Sequence, residues 1–234
     1  MTKIYYRDLG RISYKKAFKI QEELFNNTVE TKIENRKTQE IEQLVTKNHL
    51  LFCVHNHVIT LGKSGDIKNL LFTEQQLKNK NIEFYKTNRG GDITYHGPGQ
   101  IVAYPIFDLN NFKITLKKYI YLLEEVIIRT LKDYNLEASR VNGMTGVWLD
   151  ADNKLTARKL CYWSKASRWV TMHGFAFNIN TNLGFFDTIV PCGIKGKKVT
   201  SLKKELEKEI NLEEVKKKLK KYFSVIFNAE LIDF

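Results

Sequence analysis

Residues 89–100 read Arg89-Gly90-Gly91-Asp92-Ile93-Thr94-Tyr95-His96-Gly97-Pro98-Gly99-Gln100, a glycine-rich block set between two strand-like runs. Glu83-Phe84-Tyr85-Lys86 leads into it, and Ile101-Val102-Ala103-Tyr104-Pro105-Ile106 follows it. Pro105 has no N–H to give a ladder, so it marks a strand end or an edge. The paired glycines permit positive φ and leave backbone N–H groups unshielded. Arg89 can hold a carboxylate or phosphate with two parallel bonds, and His96 can donate or accept near neutral pH. The block matches neither GxGxxG nor GxxxxGK[ST], which sets aside dinucleotide and P-loop readings.

Working outward, Leu50-Leu51-Phe52-Cys53-Val54 and Val58-Ile59-Thr60-Leu61-Gly62 read as two strands joined by the short polar turn His55-Asn56-His57. Ser13 precedes Tyr14, Ala17, Phe18, Gln21, Leu24 and Phe25 at helical spacing, so a helix capped by Ser13 is expected. A longer helix is expected through Leu116, Tyr119, Ile120, Leu123, Val126, Ile127 and Leu131. Short strands are expected at Gly146-Val147-Trp148-Leu149 and Lys159-Leu160-Cys161-Tyr162. Residues 169–179 form a β-rich stretch, and the glycine inside it, Gly174, suggests a bulge or the close approach of a ligand. Asn211 followed by Glu214 has a capping-box pattern, with Val215, Leu219, Tyr222, Phe223 and Ile226 behind it. Strands and helices alternate without strict βαβ regularity. The expectation is an α+β fold, a mixed sheet covered by helices, in a single domain over 1–234 with a helical tail from about 201.

Hydrophobic residues make up 43% of the 234 residues and aromatics 12%, enough for a packed core. No apolar run reaches the length of a membrane span, and Met1-Thr2-Lys3-Ile4-Tyr5-Tyr6-Arg7 lacks the apolar stretch of a secretory signal. A cytoplasmic protein is expected. The three cysteines, Cys53, Cys161 and Cys192, cannot all pair and form no CxxC, so neither a disulfide framework nor a zinc site is suggested. No metal or cofactor is expected. The net charge of +12 points to an acidic partner. Much of the basic excess lies at 195–198 and 216–221. Aromatics are not interleaved with it as in a base-stacking platform, so no nucleic acid is expected, and no membrane.

Cys192 sits in Ile189-Val190-Pro191-Cys192-Gly193-Ile194, on a sharply defined turn that can present its sulfur. A reactive thiol needs a nearby cation or a helix N-terminus to depress its pKa. Arg158, Lys159, Lys165 and Lys195 are the candidate cations, and the sequence alone does not select among them.

Taken in order, Arg-Gly-Gly-x-x-Thr-x-His-x-Pro-Gly-Gln, Thr145-Gly146-Val147-Trp148, a lysine, His173-Gly174 and Pro191-Cys192-Gly193 resemble the lipoyl(octanoyl) transferase family. The resemblance runs from about Val54 to Leu202. His57-Val58-Ile59-Thr60-Leu61-Gly62-Lys63-Ser64 looks like the family's strand leading into its first loop. The resemblance implies the fold of the biotin and lipoyl protein ligases. It implies transfer of octanoyl from acyl carrier protein to a lysine of lipoyl domains, those of 2-oxoacid dehydrogenases and of the glycine cleavage H protein. By position Cys192 resembles the acyl-carrying nucleophile and Lys159 the lysine that pairs with it. Substrate binding is implied for Arg89, Gly90, Gly91, Asp92, Ile93, Thr94, Tyr95 and His96, for Tyr162, Trp163 and Ser164, and for Gly174, Phe175 and Ala176. At Tyr162-Trp163-Ser164 the family carries small residues and a glycine, so a reshaped acyl pocket is expected. Two alternatives stand beside this reading. One is an ATP-dependent lipoate or biotin ligase of the same fold, the other a catalytically impaired relative that still binds a carrier.

Overall fold

Two strands with apolar side chains on both faces form the centre of the molecule. Strand β2 (Asn48–His55) points Leu50 and Phe52 to one side and Leu51 and Cys53 to the other, and all four are fully buried. Strand β6 (Gln100–Ile106) does the same with Ile101 and Ala103 against Val102 and Tyr104. A strand buried on both faces needs a layer on each side, and the sequence supplies both.

A computed structural model describes residues 1–37, 43–150, 158, 159, 161–163, 169–190 and 198–234; of Thr145, Arg158, Lys159, Cys161, Tyr162, Trp163 and Lys198 only the backbone is described. Among these residues β6 and β2 lie in a six-stranded sheet of order β10-β11-β6-β2-β1-β13. Its other strands are β1 (Thr2–Ile12), β10 (Cys161–Trp163), β11 (Phe175–Asn178) and β13 (Ala229–Asp233). Pairing is antiparallel from β10 to β2 and parallel from β2 through β1 to β13. One face is covered by α3 (Leu116–Lys132) and α5 (Leu212–Phe227), whose Val126, Ile127, Leu131, Leu219 and Phe223 pack with Leu50, Phe52, Ile101 and Ala103. The other face is covered by α1 (Tyr14–Asn35), through Ala17, Ile20 and Leu24 against Leu51, Cys53, Val102 and Tyr104. Burying each of these large apolar side chains contributes ~1.5–3 kcal/mol. Two smaller sheets flank this sandwich. One has the order β4 (Glu83–Lys86), β3 (Val58–Leu61), β5 (Ile93–His96); the other has the order β12 (Lys198–Val199), β9 (Arg158–Lys159), β8 (Met144–Leu149), β7 (Ala138–Val141).

The α+β expectation holds, with several corrections. Ser13 caps α1 by accepting from the N–H of Lys16, as expected, but the helix runs on to Asn35 through mostly polar residues. Strands β2 and β3 do not pair with each other. The turn between them is a corner from the large sheet to a small one. The run 159–162 is divided between β9 and β10, which belong to different sheets. Of residues 169–179 only Phe175–Asn178 is strand. Pro105 is neither terminal nor on an edge strand. It is the penultimate residue of an interior strand, just beyond the last pair with β11, Phe175 with Ala103. There the Thr171 hydroxyl replaces the ladder, donating to the carbonyl of Pro105 (2.7 Å) and accepting from the N–H of Phe107 (2.9 Å).

The expected helical tail is not an appendage. Helix α5 closes the main core, and the residues after it form β13, which pairs with β1 from Thr2 opposite Ala229 to Tyr6 opposite Asp233. Asn211 caps α5 by accepting from the N–H groups of Glu213 and Glu214. Much of the C-terminal lysine run is also neutralised locally. Lys216 pairs with Asp8 and Glu213, Lys218 with Asp133 and Glu214, and Lys220 with Asp233. Among the described residues no helix is long and apolar enough to cross a membrane.

Candidate active site

The glycine block closes against the neighbouring loop at residues 62–65. The N–H groups of Gly62, Lys63 and Ser64 donate to the carbonyls of Asp92 (3.2 Å), Arg89 (2.9 Å) and Gly91 (3.2 Å). A Cβ on Gly62 would lie 2.3 Å from the carbonyl oxygen of Gly91, and Gly91 itself has φ of +83°. Within this nesting Arg89 is held by the protein's own oxygens, at the wall of the cleft. The guanidinium is buried and donates to Thr60 Oγ1 (3.1 Å), to the carbonyl of Gly90 (3.1 Å) and to the carbonyls of Thr60 and Asp92 (2.6 Å each). Its fork organises the two loops.

Asp92 extends the same scaffold. One carboxylate oxygen accepts from the N–H of Ile93 (2.7 Å) and the other from Asn69 Nδ2 (2.8 Å). The carbonyl of Asn69 in turn accepts from the N–H of Val190 (2.8 Å), and Leu70 bridges Ile189. The glycine block is thus tied to the chain two residues before Cys192.

Beside this scaffold lies a narrow, half-open cleft of about 30 Å³, well below the usual range for ligand pockets. Six residues named from sequence line it: Arg89, Thr94, His96, Gly174, Phe175 and Ala176. They come from two stretches about eighty residues apart in the chain, which the sheet brings together because β11 pairs with β6. Strand alternation explains which residues of β5 are absent. Thr94 and His96 face the cleft, whereas Ile93 and Tyr95 pack into the core of the small sheet with Ile59, Leu61 and Phe186. Gly174 lines the cleft and allows a close approach of backbone. A Cβ there would lie 2.0 Å from the carbonyl oxygen of Ala103 and 2.6 Å from Pro105 Cδ.

Four lining residues were not assigned to substrate binding from sequence: Tyr14, Val102, Tyr104 and His173, the last quoted only within the motif His173-Gly174. Tyr14 is the first residue of α1, Val102 and Tyr104 sit on the α1 face of β6, and His173 precedes Gly174. His173 adopts φ of 65°, a conformation rare outside glycine, and stacks on Phe18. Cys192 and Ser164 lie outside the described residues, as do the side chains of Lys159, Tyr162 and Trp163. The backbone register sets Tyr162 opposite Ala176 and Trp163 opposite Phe175. It sets Lys159 opposite Val199, on the strand that follows residues 191–197.

The histidines of this region are neutral. Burial lowers His55 and His173 from 6.5 to about 4, and His96 to about 3. His96 therefore does not titrate near neutrality as its sequence setting suggested. Burial also pushes the Cys53 thiol up, so Cys53 is not a reactive thiol. The unfolded chain binds protons at these histidines below about pH 6.5, and the folded chain does not until about pH 4. Stability is therefore lost as pH falls through that window, at up to ~1.4 kcal/mol per pH unit for each histidine. Denaturant unfolding measured from pH 7 to pH 5 is expected to show uptake of at least roughly two protons on unfolding. A flat profile would contradict the buried neutral assignment.

The sequence matches the lipoyl protein ligase A/B catalytic domain over residues 13–224. The chain belongs to that family. It is 58% identical to the octanoyltransferase of Christiangramia forsetii over 227 residues, covering 96% of each chain. It is 55% identical to the octanoyltransferase of Flavobacterium johnsoniae, over 98% of this chain and 99% of that one. It superposes on the bipartite lipoate protein ligase of Thermoplasma acidophilum with a TM-score of 0.71 and 14% identity, over 100% of this chain and 87% of that one. That last likeness speaks for the fold, which is the lipoate-ligase catalytic fold. The near relatives place the chain among enzymes of the octanoyltransferase group.

Proposed function

We infer that the protein moves octanoyl from an acyl carrier protein to the Nζ of a lysine on lipoyl domains, through a thioester on Cys192. The supporting observation is identity of 55–58% to octanoyltransferases over nearly the whole chain. The cleft is consistent with it, since Val102, Phe175 and Ala176 offer apolar walls for an alkyl chain. The ATP-dependent ligase reading has only the fold in its favour, through neighbours such as lipoate-protein ligase A at 14% identity. The acceptors we assign are the lipoyl domains of 2-oxoacid dehydrogenases and the glycine cleavage H protein, and the setting is the cytoplasm.

In the first step the Cys192 thiolate attacks the carrier thioester and the carrier thiol leaves, so one thioester is exchanged for another. In the second step a lysine amine attacks the octanoyl thioester and Cys192 leaves as a thiolate. Lys159 is the cation assigned to stabilise that thiolate and to move the proton between sulfur and amine, a role worth roughly 10²–10⁴-fold. The deciding measurement is the mass of the intact protein after incubation with octanoyl-acyl carrier protein. Octanoyl on Cys192 supports the reading, and bound adenylate in place of a thioester overturns it. Lys159→Ala is expected to shift the pH profile of Cys192 alkylation by iodoacetamide to higher pH, because the thiolate loses its cation. An unchanged profile would transfer the role to Lys165 or Lys195.

A further inference from the structure

Val102 and Tyr104 form the part of the cleft wall that belongs to β6, and both lie on the α1 face of the sheet. In a cleft this narrow the larger lining side chains decide what fits. Tyr104 is fixed at both ends. Its backbone pairs with Leu51 inside the sheet, and its hydroxyl lies 2.7 Å from His55 Nε2. The direction of that bond is set on the far side of the imidazole. The carbonyl of Ile12 can only accept, so His55 Nδ1 carries the hydrogen and donates to it (2.9 Å). In the neutral ring Nε2 is then a lone pair, and the Tyr104 hydroxyl donates to it.

His55 is fully buried and stands behind the cleft wall. Its ring also meets Tyr14 edge-on, 5.7 Å between centroids, and lies 5.9 Å from the ring of His96. Gln21, fully buried on α1, completes this cluster. Its side chain hydrogen-bonds to the Tyr104 hydroxyl, and its Nε2 faces the carbonyl of Ala17 (3.4 Å). Its Oε1 is sealed from solvent with no hydrogen-bond partner among the described residues. Polar groups therefore gather around the Tyr104 hydroxyl, inside a layer otherwise built from Ala17, Leu51, Ile106 and Val170.

An alkyl chain lying against Val102 and Ala176 gains with each methylene it buries, until it meets the Tyr104 ring. To go further it must part Tyr104 from His55 and leave buried polar atoms unpaired, which costs more than the next methylene gains. We propose that Tyr104 sets the length of acyl chain the cleft accepts, and that His55 is the positioning residue that holds its ring in place. This rests on the function inferred above and adds the residue that selects the chain. Shortening Tyr104 opens the slot toward apolar neighbours, so the space gained suits additional methylenes.

The test is kcat/KM for transfer to a lipoyl domain from six-, eight-, ten- and twelve-carbon acyl carriers. The unsubstituted protein is expected to prefer eight carbons, with a sharp fall at ten. Tyr104→Leu is expected to raise the ten-to-eight ratio about 15-fold, the worth of two buried methylenes at roughly fourfold each. Tyr104→Phe keeps the ring and cuts the tether to His55, and is expected to raise the same ratio about fourfold. A ratio of rates is the informative readout, because a residue that only supports the fold lowers every donor alike. Equal losses for all donors in folded Tyr104→Leu would overturn the proposal, as would a flat profile from six to twelve carbons in the unsubstituted protein. If Tyr104→Leu is not recovered folded, Tyr104→Phe decides, and an unchanged ratio there overturns the proposal. Absence of transfer from every donor in the unsubstituted protein defeats the inferred function and this proposal with it. An eight-carbon optimum that survives both substitutions removes this proposal alone.

Discussion

Cys192→Ser is expected to lower octanoyl transfer by about 10⁴-fold or more, with no thioester detectable by mass and no loss of fold. A thiolate is reachable near neutral pH when a cation stands beside it, whereas a serine hydroxyl needs a strong general base to attack a thioester. The described histidines of the cleft do not supply one, because burial holds His96 and His173 far below neutral basicity. The necessary control is Cys53→Ala. Cys53 is fully buried in β2, and its thiol is pushed up by desolvation. That variant loses packing but retains transfer. Near-normal turnover in Cys192→Ala would eliminate the covalent route.

Gly174→Ala carries the second large effect, and it acts through the scaffold. The added methyl would sit 2.0 Å from the carbonyl oxygen of Ala103 and 2.6 Å from Pro105 Cδ. Neither neighbour can swing away, since Ala103 is paired to Phe175 on one side and Phe52 on the other, and a proline ring is rigid. Relief requires parting β11 from β6 at the cleft. Overpacking of this sort costs about 3 kcal/mol, which is a fall in Tm on the order of 10 °C for a chain of this size. The cleft should widen at Phe175 and Ala176, so transfer falls at temperatures where the protein is still folded. A calorimetric Tm within about 2 °C of the parent would show that the strand contact is softer than its geometry implies.

The parts of the fold that were legible from sequence are those where burial and period agree. The long helix α3 alternates at 3.6 residues, and β2 and β6 are apolar throughout, so both classes announce themselves. Strand β1 does not. Arg7, Asp8 and Arg11 are exposed, and its order comes from backbone pairing to β2 and β13 that no side-chain pattern reports. Strand β13 is short and half exposed for the same reason. Within the candidate site, motif order located Thr94, His96 and Gly174–Ala176, because their chemistry is local to a few residues. It could not reveal that Arg89 serves backbone carbonyls or that His96 is neutral, since both depend on burial created by distant strands. Tyr14 and Tyr104 escaped notice because aromatic residues at helix starts and on sheet faces usually mark ordinary core.

The pairing of β1 with β13 bears on how the protein is made. As the chain leaves the ribosome, β1 is exposed early and can recruit β2 on one side, but its other edge stays open until β13 has followed every other described element. An open edge of paired-ready backbone is a template for any neighbouring nascent chain. Helix α5, which precedes β13 and fills the core beneath the sheet, is equally late. Premature termination before residue 212 therefore yields a species that lacks both α5 and its edge strand, and termination just before residue 229 one that lacks the edge strand alone. Such fragments should be sticky and quickly degraded.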